Sequence, residues 1–169
     1  MAVLVALLMA AASVAMPASD PACTTPAPLA EPWTSWPRSG KARAGARAQD
    51  AAPLILGRPV TATLTPAAHI HFVAPPAKGA KDGYGGLLSL SLKQAARVGI
   101  ALDGPAWVDL FTGHNAQTSV DHGHGPACSG IRKIVWFDLA AGRHIVQIAG
   151  SNAMTIRVMA ADRAANQPR

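Results

Sequence analysis

The sequence predicts an all-β chain: a single antiparallel β-sandwich, jelly-roll-like, of about eight strands. Three observations lead there. From Gly57 onward apolar and polar residues alternate with period two, the mark of half-buried strands. Turn-forming residues part the runs at Gly104-Pro105, Ala141-Gly142 and Gly150-Ser151-Asn152. Apolar residues at helical spacing are scarce, and many short strands with few helices argue for two packed sheets.

Taken in order, Val60, Ala62 and Leu64 alternate with Thr61 and Thr63. Ile70, Phe72 and Ala74 alternate with His69, His71 and Val73, giving a second expected strand. Leu88, Leu90 and Leu92 then alternate with Ser89 and Ser91, and Val98, Ile100 and Leu102 with Arg97, Gly99 and Ala101. The remaining expected strands are Trp107 to Phe111, Ile131 to Leu139, His144 to Ala149 and Met154 to Met159. In Ile131 to Leu139, Trp136 shares a face with Arg132, Ile134 and Asp138, which predicts an exposed aromatic.

The flanks divide the chain further. Residues 1–18 read as a signal peptide: an apolar run through Val3, Leu4, Val5, Leu7, Leu8 and Met9, then small residues at Ser13, Ala15 and Ala18 for cleavage. The run is shorter than the roughly 20 residues a spanning helix needs, and no later segment is long and apolar enough. Residues 19–56, rich in Pro, Ala and Arg, read as an extended arm. Residues 57–161 read as the sandwich and 162–169 as a disordered tail. Two connections exceed hairpin length: Pro75 to Gly85, with Lys78, Lys81, Asp82 and Tyr84, and Thr112 to Gly130. Such loops in a compact domain are usually functional or disordered.

Charge narrows the partners. The chain carries 15 Lys and Arg against 9 acids, a formal +6. In an envelope compartment, periplasmic or secreted, such a surface favours anionic envelope components such as lipid head groups or acidic polysaccharide. No nucleic-acid motif appears. A monomer is expected.

The most unusual stretch is Asp121-His122-Gly123-His124-Gly125-Pro126-Ala127-Cys128-Ser129-Gly130. Cys128 and Cys23 are the chain's two cysteines, and two cysteines in an exported chain most often pair. The expected bridge pins this loop to the mature N-terminus; a nucleophilic or metal-binding thiol is the alternative, without a C-x-x-C pair to support it.

His122 and His124, with Asp121 or His114, are candidate ligands for zinc, copper or iron. His69 and His71 form a second H-x-H pair, facing one way if on a strand. Hydrolysis is poorly provided for. Ser129 lies in no G-x-S-x-G elbow, and the few acids offer no carboxylate pair. Binding needs less: Trp136, Arg132 and Tyr84 are candidate ligand contacts, with Trp107, Trp33 and Trp36 as further aromatic platforms.

Trp107-Val108-Asp109-Leu110-Phe111, followed by Gly142-Arg143-His144-Ile145-Val146-Gln147-Ile148, resembles prepeptidase C-terminal-type β-sandwich domains over about residues 57–160. That resemblance implies a non-catalytic module of a secreted protein. The chain, and especially His122-Gly123-His124-Gly125-Pro126-Ala127-Cys128 with Gly130-Ile131-Arg132-Lys133, also resembles small exported proteins of alphaproteobacteria, some of which carry the name homogentisate dioxygenase. That name implies a metal-dependent dioxygenase, whose large cupin relatives hold iron with two histidines and a glutamate. Here neither H-x-H is closely followed by glutamate, and Glu31, in the arm, is the sole glutamate. Two readings therefore stand: a non-catalytic binding or structural protein, or a small dioxygenase using His122, His124 and Asp121.

Overall fold

A computed structural model describes residues 23, 26, 28–76, 80 and 82–163. The expected signal peptide, Lys78, Lys81 and residues 164–169 lie outside the described residues. The fold is all-β, with no α-helix among the described residues.

The strands are β1 (Gly40–Arg43), β2 (Ala52–Pro53), β3 (Val60–Thr63), β4 (Thr65–Pro66), β5 (Tyr84–Leu92) and β6 (Ala96–Leu102), then β7 (Trp107–Thr112), β8 (Asn115–Gln117), β9 (Ser119–Gly123), β10 (Lys133–Leu139), β11 (Gly142–Ser151) and β12 (Thr155–Asp162). One sheet runs β1-β3-β12-β6-β10-β9; the other runs β2-β5-β11-β7-β8, with β4 beside β5. The two pack face to face as a sandwich. The principal core lies between them. Val98, Ile100, Leu102, Val135, Phe137, Ile156 and Val158 from the first sheet meet Leu88, Leu90, Leu110, Val146 and Ile148 from the second.

The sheets are mixed rather than wholly antiparallel. β1 pairs parallel with β3, and β2 parallel with β5. Both parallel strands come from residues 40–53, the stretch read from sequence as an arm. That segment adds one strand to each sheet, so sheet pairing begins well before Gly57. Its short strands escape a periodicity test, because two to four residues do not establish an alternation.

Segments before β5 also cover the outer faces. On the first sheet Ala101, Ile134, Met159 and Ala161 point away from the main core and are buried by Trp33 and Trp36, with Leu29 alongside. On the second, Leu87, Phe111 and Ile145 are covered by Ala48, Ala51, Phe72, Val73 and Ala74. Strands buried on both faces carry nearly continuous apolar runs. This explains why Val98 to Leu102 carries no polar residue on its second face and why Ile145 to Ala149 carries only the buried Gln147 there.

One expected strand is absent. Ala67–His69 is a 3-10 turn and residues 70–74 are irregular. Buried Gln147 supplies what a neighbouring strand would have supplied. Its Oε1 accepts from the Val73 N–H at 2.9 Å, and its Nε2 donates to the Ala74 carbonyl at 3.1 Å. Satisfied this way, the segment lies on β11 as a cover.

Trp136 is the second departure. It is half-buried, edge-on to Trp33 with ring centroids 5.8 Å apart, and the Arg163 guanidinium lies 5.4 Å from its centroid. Opposite it in register is Gly99. A β-carbon there would stand 2.9 Å from the Trp136 ring, so the indole lies flat across the glycine. The predicted exposed aromatic is a packed one, because the N-terminal segment covers its face.

Candidate functional site

The stretch from Thr112 to Gly130 is not one long loop. It holds β8 and β9, and Asp121, His122 and Gly123 belong to β9, an edge strand paired antiparallel with β10. In that register His122 stands opposite Val135, and Asp121 opposite Trp136. Alternation along the strand therefore sends His122 to one side and Asp121 to the other.

The side chain of Asp121 confirms its separate environment. Its Oδ1 accepts from the His122 backbone N–H at 2.8 Å. Its charge also acts on Arg97, which lies across the outer face. Arg97 makes a two-pronged pair with Asp138 at 2.7 and 2.8 Å. The hydrogen bond and charge of Asp138 hold the Arg97 guanidinium above its ordinary pKa, with a smaller contribution from Asp121. This exposed pair contributes little to stability.

Beyond β9 the chain makes a tight reversal. The Gly125 N–H donates to the Ile131 carbonyl at 3.2 Å and the Ser129 N–H to Pro126 at 3.1 Å. The Ile131 N–H donates to Ser129 Oγ at 3.0 Å. A β-carbon on Gly125 would collide with Ile131, so only glycine lets this buried side chain close the turn. Cys128 adopts a left-handed conformation, φ 58°, which is uncommon outside glycine and asparagine. It is bonded to Cys23 across 105 residues, with Cα atoms 5.4 Å apart. The expected disulfide is present.

The residues flanking this reversal, His124 before it and Arg132 after it, border an open cleft of about 340 Å³. His122 and Gly123 line it from β9 and His124 from just beyond it, Arg132 and Lys133 from the entry to β10, Gly104 to Trp107 from the β6–β7 connection, and Gly150 from β11. His124 Nδ1–H donates to the Arg132 carbonyl at 2.9 Å, which fixes the ring and leaves Nε2 as the unprotonated nitrogen of the neutral form. Lys133 Nζ donates to the Ala106 carbonyl at 3.2 Å and lies 4.9 Å from the centroid of the Trp107 ring. Trp107 is 37% exposed. No acidic residue lines the cleft.

The other sequence candidates lie elsewhere. His114, in the β7–β8 turn, lines a separate cleft of about 410 Å³ with Arg47 and His71. His69 ends the 3-10 turn, exposed, and does not line that cleft with its expected partner His71. Tyr84 opens β5 and packs, half-buried, against the main core. Among the described residues no three His, Cys, Asp or Glu side chains gather closely enough for one metal ion. His144 is buried among core residues. Its Nε2–H donates to the Ala140 carbonyl at 3.0 Å, and its Nδ1 shares a 2.8 Å bond with Thr112 Oγ1, a structural role.

Two cleft residues, Lys133 and Trp107, were not singled out as its contacts from sequence. A signal existed for Trp107: it follows the Gly104-Pro105 turn and alternates with core-facing Val108 and Leu110. Nothing in the sequence links it to Lys133. No family model matches the chain, and no curated protein is significantly similar to it. What the fold and the cleft define is a disulfide-bonded β-sandwich with a basic, partly aromatic recess at one end.

Proposed function

We propose that this protein is an exported, non-catalytic binding protein of the cell envelope, periplasmic or secreted, whose ligand sits in the cleft beside the pinned histidine turn. The observation that carries the reading is the convergence of His122, His124, Arg132, Lys133 and Trp107 on one recess from three separate stretches of chain. Binding sites are concave, mostly apolar and set with a few placed polar groups. Export is supported by the apolar leader at residues 1–18 and by the Cys23–Cys128 bridge, since such bonds persist in oxidising compartments. Among the described residues no helix is long and apolar enough to cross a membrane.

Mass spectrometry of the protein recovered from the cell envelope tests export. The expected chain starts near Met16 or Ser19 and carries the Cys23–Cys128 bridge. A chain with residues 1–18 retained and two free thiols contradicts it.

The His122→Ala/His124→Ala double change tests the roles of the two rings. The His122 ring is exposed and His124 contributes one side-chain hydrogen bond. The variant is expected to lose about 1 kcal/mol or less of stability. Calorimetric titration of the wild type with zinc and with copper is expected to show no saturable heat. Stoichiometric heat that vanishes in the double variant would favour the metal-dependent alternative instead.

A further inference from the structure

The chemistry of the lining narrows the ligand class, an inference that rests on the cleft being the ligand seat. Two imidazoles, a guanidinium and an ammonium meet there without a carboxylate among them. The nearby acids are committed elsewhere. Asp121 accepts from the His122 N–H on the other side of the strand, and Asp103 Oδ1 accepts from the Arg157 N–H at 2.8 Å. The lining itself is therefore cationic, in line with the chain's net +6.

The charges are also held in place. Lys133 is tethered above the Trp107 ring and to the Ala106 carbonyl, so its position is set by two contacts. The backbone of Arg132 is fixed on both sides. Its N–H donates to the Leu102 carbonyl at 2.8 Å, and its carbonyl accepts from His124. Its side chain is exposed, and a guanidinium so placed can fork onto a carboxylate.

Between and below these cations the walls are apolar: Pro105, Ala106 and the exposed part of Trp107, beside glycines that project no side chain. A simple inorganic anion would use the cations and leave this surface idle. A neutral sugar would use the surface and bring no negative charge to the cationic lining. A ligand that presents both a carboxylate and a ring with apolar C–H faces uses all of it. The recess, about 340 Å³, stands at the low end of the 300–1,000 Å³ common for ligand sites. It is concave, which fits one or two sugar rings better than a flat lipid surface.

We propose that the cleft binds an acidic saccharide. The carboxylate of a uronic acid unit pairs with Arg132 and Lys133, and the sugar ring packs against Trp107.

Calorimetry on the mature, oxidised protein with trigalacturonate as probe tests this. The comparison arms are cellobiose, inorganic phosphate and phosphatidylglycerol vesicles. Saturable trigalacturonate binding is expected, weakening with added salt and at least tenfold stronger than for cellobiose or phosphate. Arg132→Ala, which keeps both backbone bonds of that residue, should weaken it at least tenfold. Trp107→Ala should do the same, with Trp107→Tyr restoring part of the affinity and covering the case in which the alanine variant is unstable. Equal affinity for cellobiose or phosphate, or no binding of trigalacturonate, overturns the saccharide proposal. If phosphate or vesicles then bind in an Arg132-dependent way, the cleft survives as a ligand seat. Trigalacturonate binding unchanged by both substitutions overturns the cleft reading and the saccharide assignment at that cleft together.

Discussion

Cys128→Ala in the mature protein is expected to lower the free energy of unfolding by about 4–5 kcal/mol. The bridge closes a loop of 105 residues, most of the described chain, and in the chain-entropy model a loop of that size restrains the unfolded ensemble strongly. The loss should also be felt in the folded state. Cys23 lies just ahead of the segment carrying Trp33 and Trp36, and Cys128 lies in the turn that joins His124 to Arg132, two residues lining the cleft. Releasing the bond frees both at once. Denaturant unfolding of wild type and variant measures the difference. Cys23→Ala should match Cys128→Ala, and the double change should cost no more than either, because one bond is lost in each case. A loss under about 1 kcal/mol would show that strain or residual denatured structure cancels the entropic gain.

Trp36→Ala is expected to cost about 3–5 kcal/mol. The side chain is 1% exposed and packs among Ala101, Ile134, Met159 and Ala161 on the outer face of the first sheet. The Arg157 guanidinium lies 5.5 Å from its centroid. Without the indole the N-terminal cover loses its largest contact with the sheet. Trp36 Nε1 is buried and finds no hydrogen-bond partner among the described residues. Trp36→Phe removes that orphaned donor while keeping most of the volume, so its cost should stay below about 1.5 kcal/mol. Thermal unfolding of both variants decides between a packed cover and a loosely lying arm; equal, small losses for both would favour the latter.

The main strands were legible because their signal is local. Leu88 to Leu92 and Val98 to Leu102 announce period two, and Gly150-Ser151-Asn152 separates its neighbours without any tertiary information. The covers were not legible. Trp33 and Trp36 are buried, and Phe72 and Val73 half-buried, by non-local contacts, and their own segments carry too little alternation or too much proline to predict where they settle. His69 to Ala74 alternates like a strand, yet the Gln147 amide takes over its hydrogen bonds. No local pattern foretells a side chain acting as a strand neighbour.

The site was half legible for the same reason. His122, His124, Arg132 and the bridge all belong to or tie into the glycine-rich stretch that stands out in the sequence. Asp121 is adjacent in sequence, but the strand geometry turns it away, because neighbouring residues on a strand face opposite sides. Trp107 and Lys133 come together across 26 positions, through the crossing of β6 to β7 and the start of β10. His71 and His114 come to line one recess only in the fold, apart from their expected partners His69 and His122.

The most direct test of the account is where a ligand touches the protein. In a 1H–15N NMR titration of the oxidised mature chain with trigalacturonate, the account predicts saturable shifts concentrated at Trp107, His122, His124, Arg132 and Lys133. Those at Arg47, His71 and His114 should stay in place. Saturable shifts confined to that second cleft, or spread evenly over the basic surface without saturation, would contradict the placement of the ligand beside the pinned histidine turn.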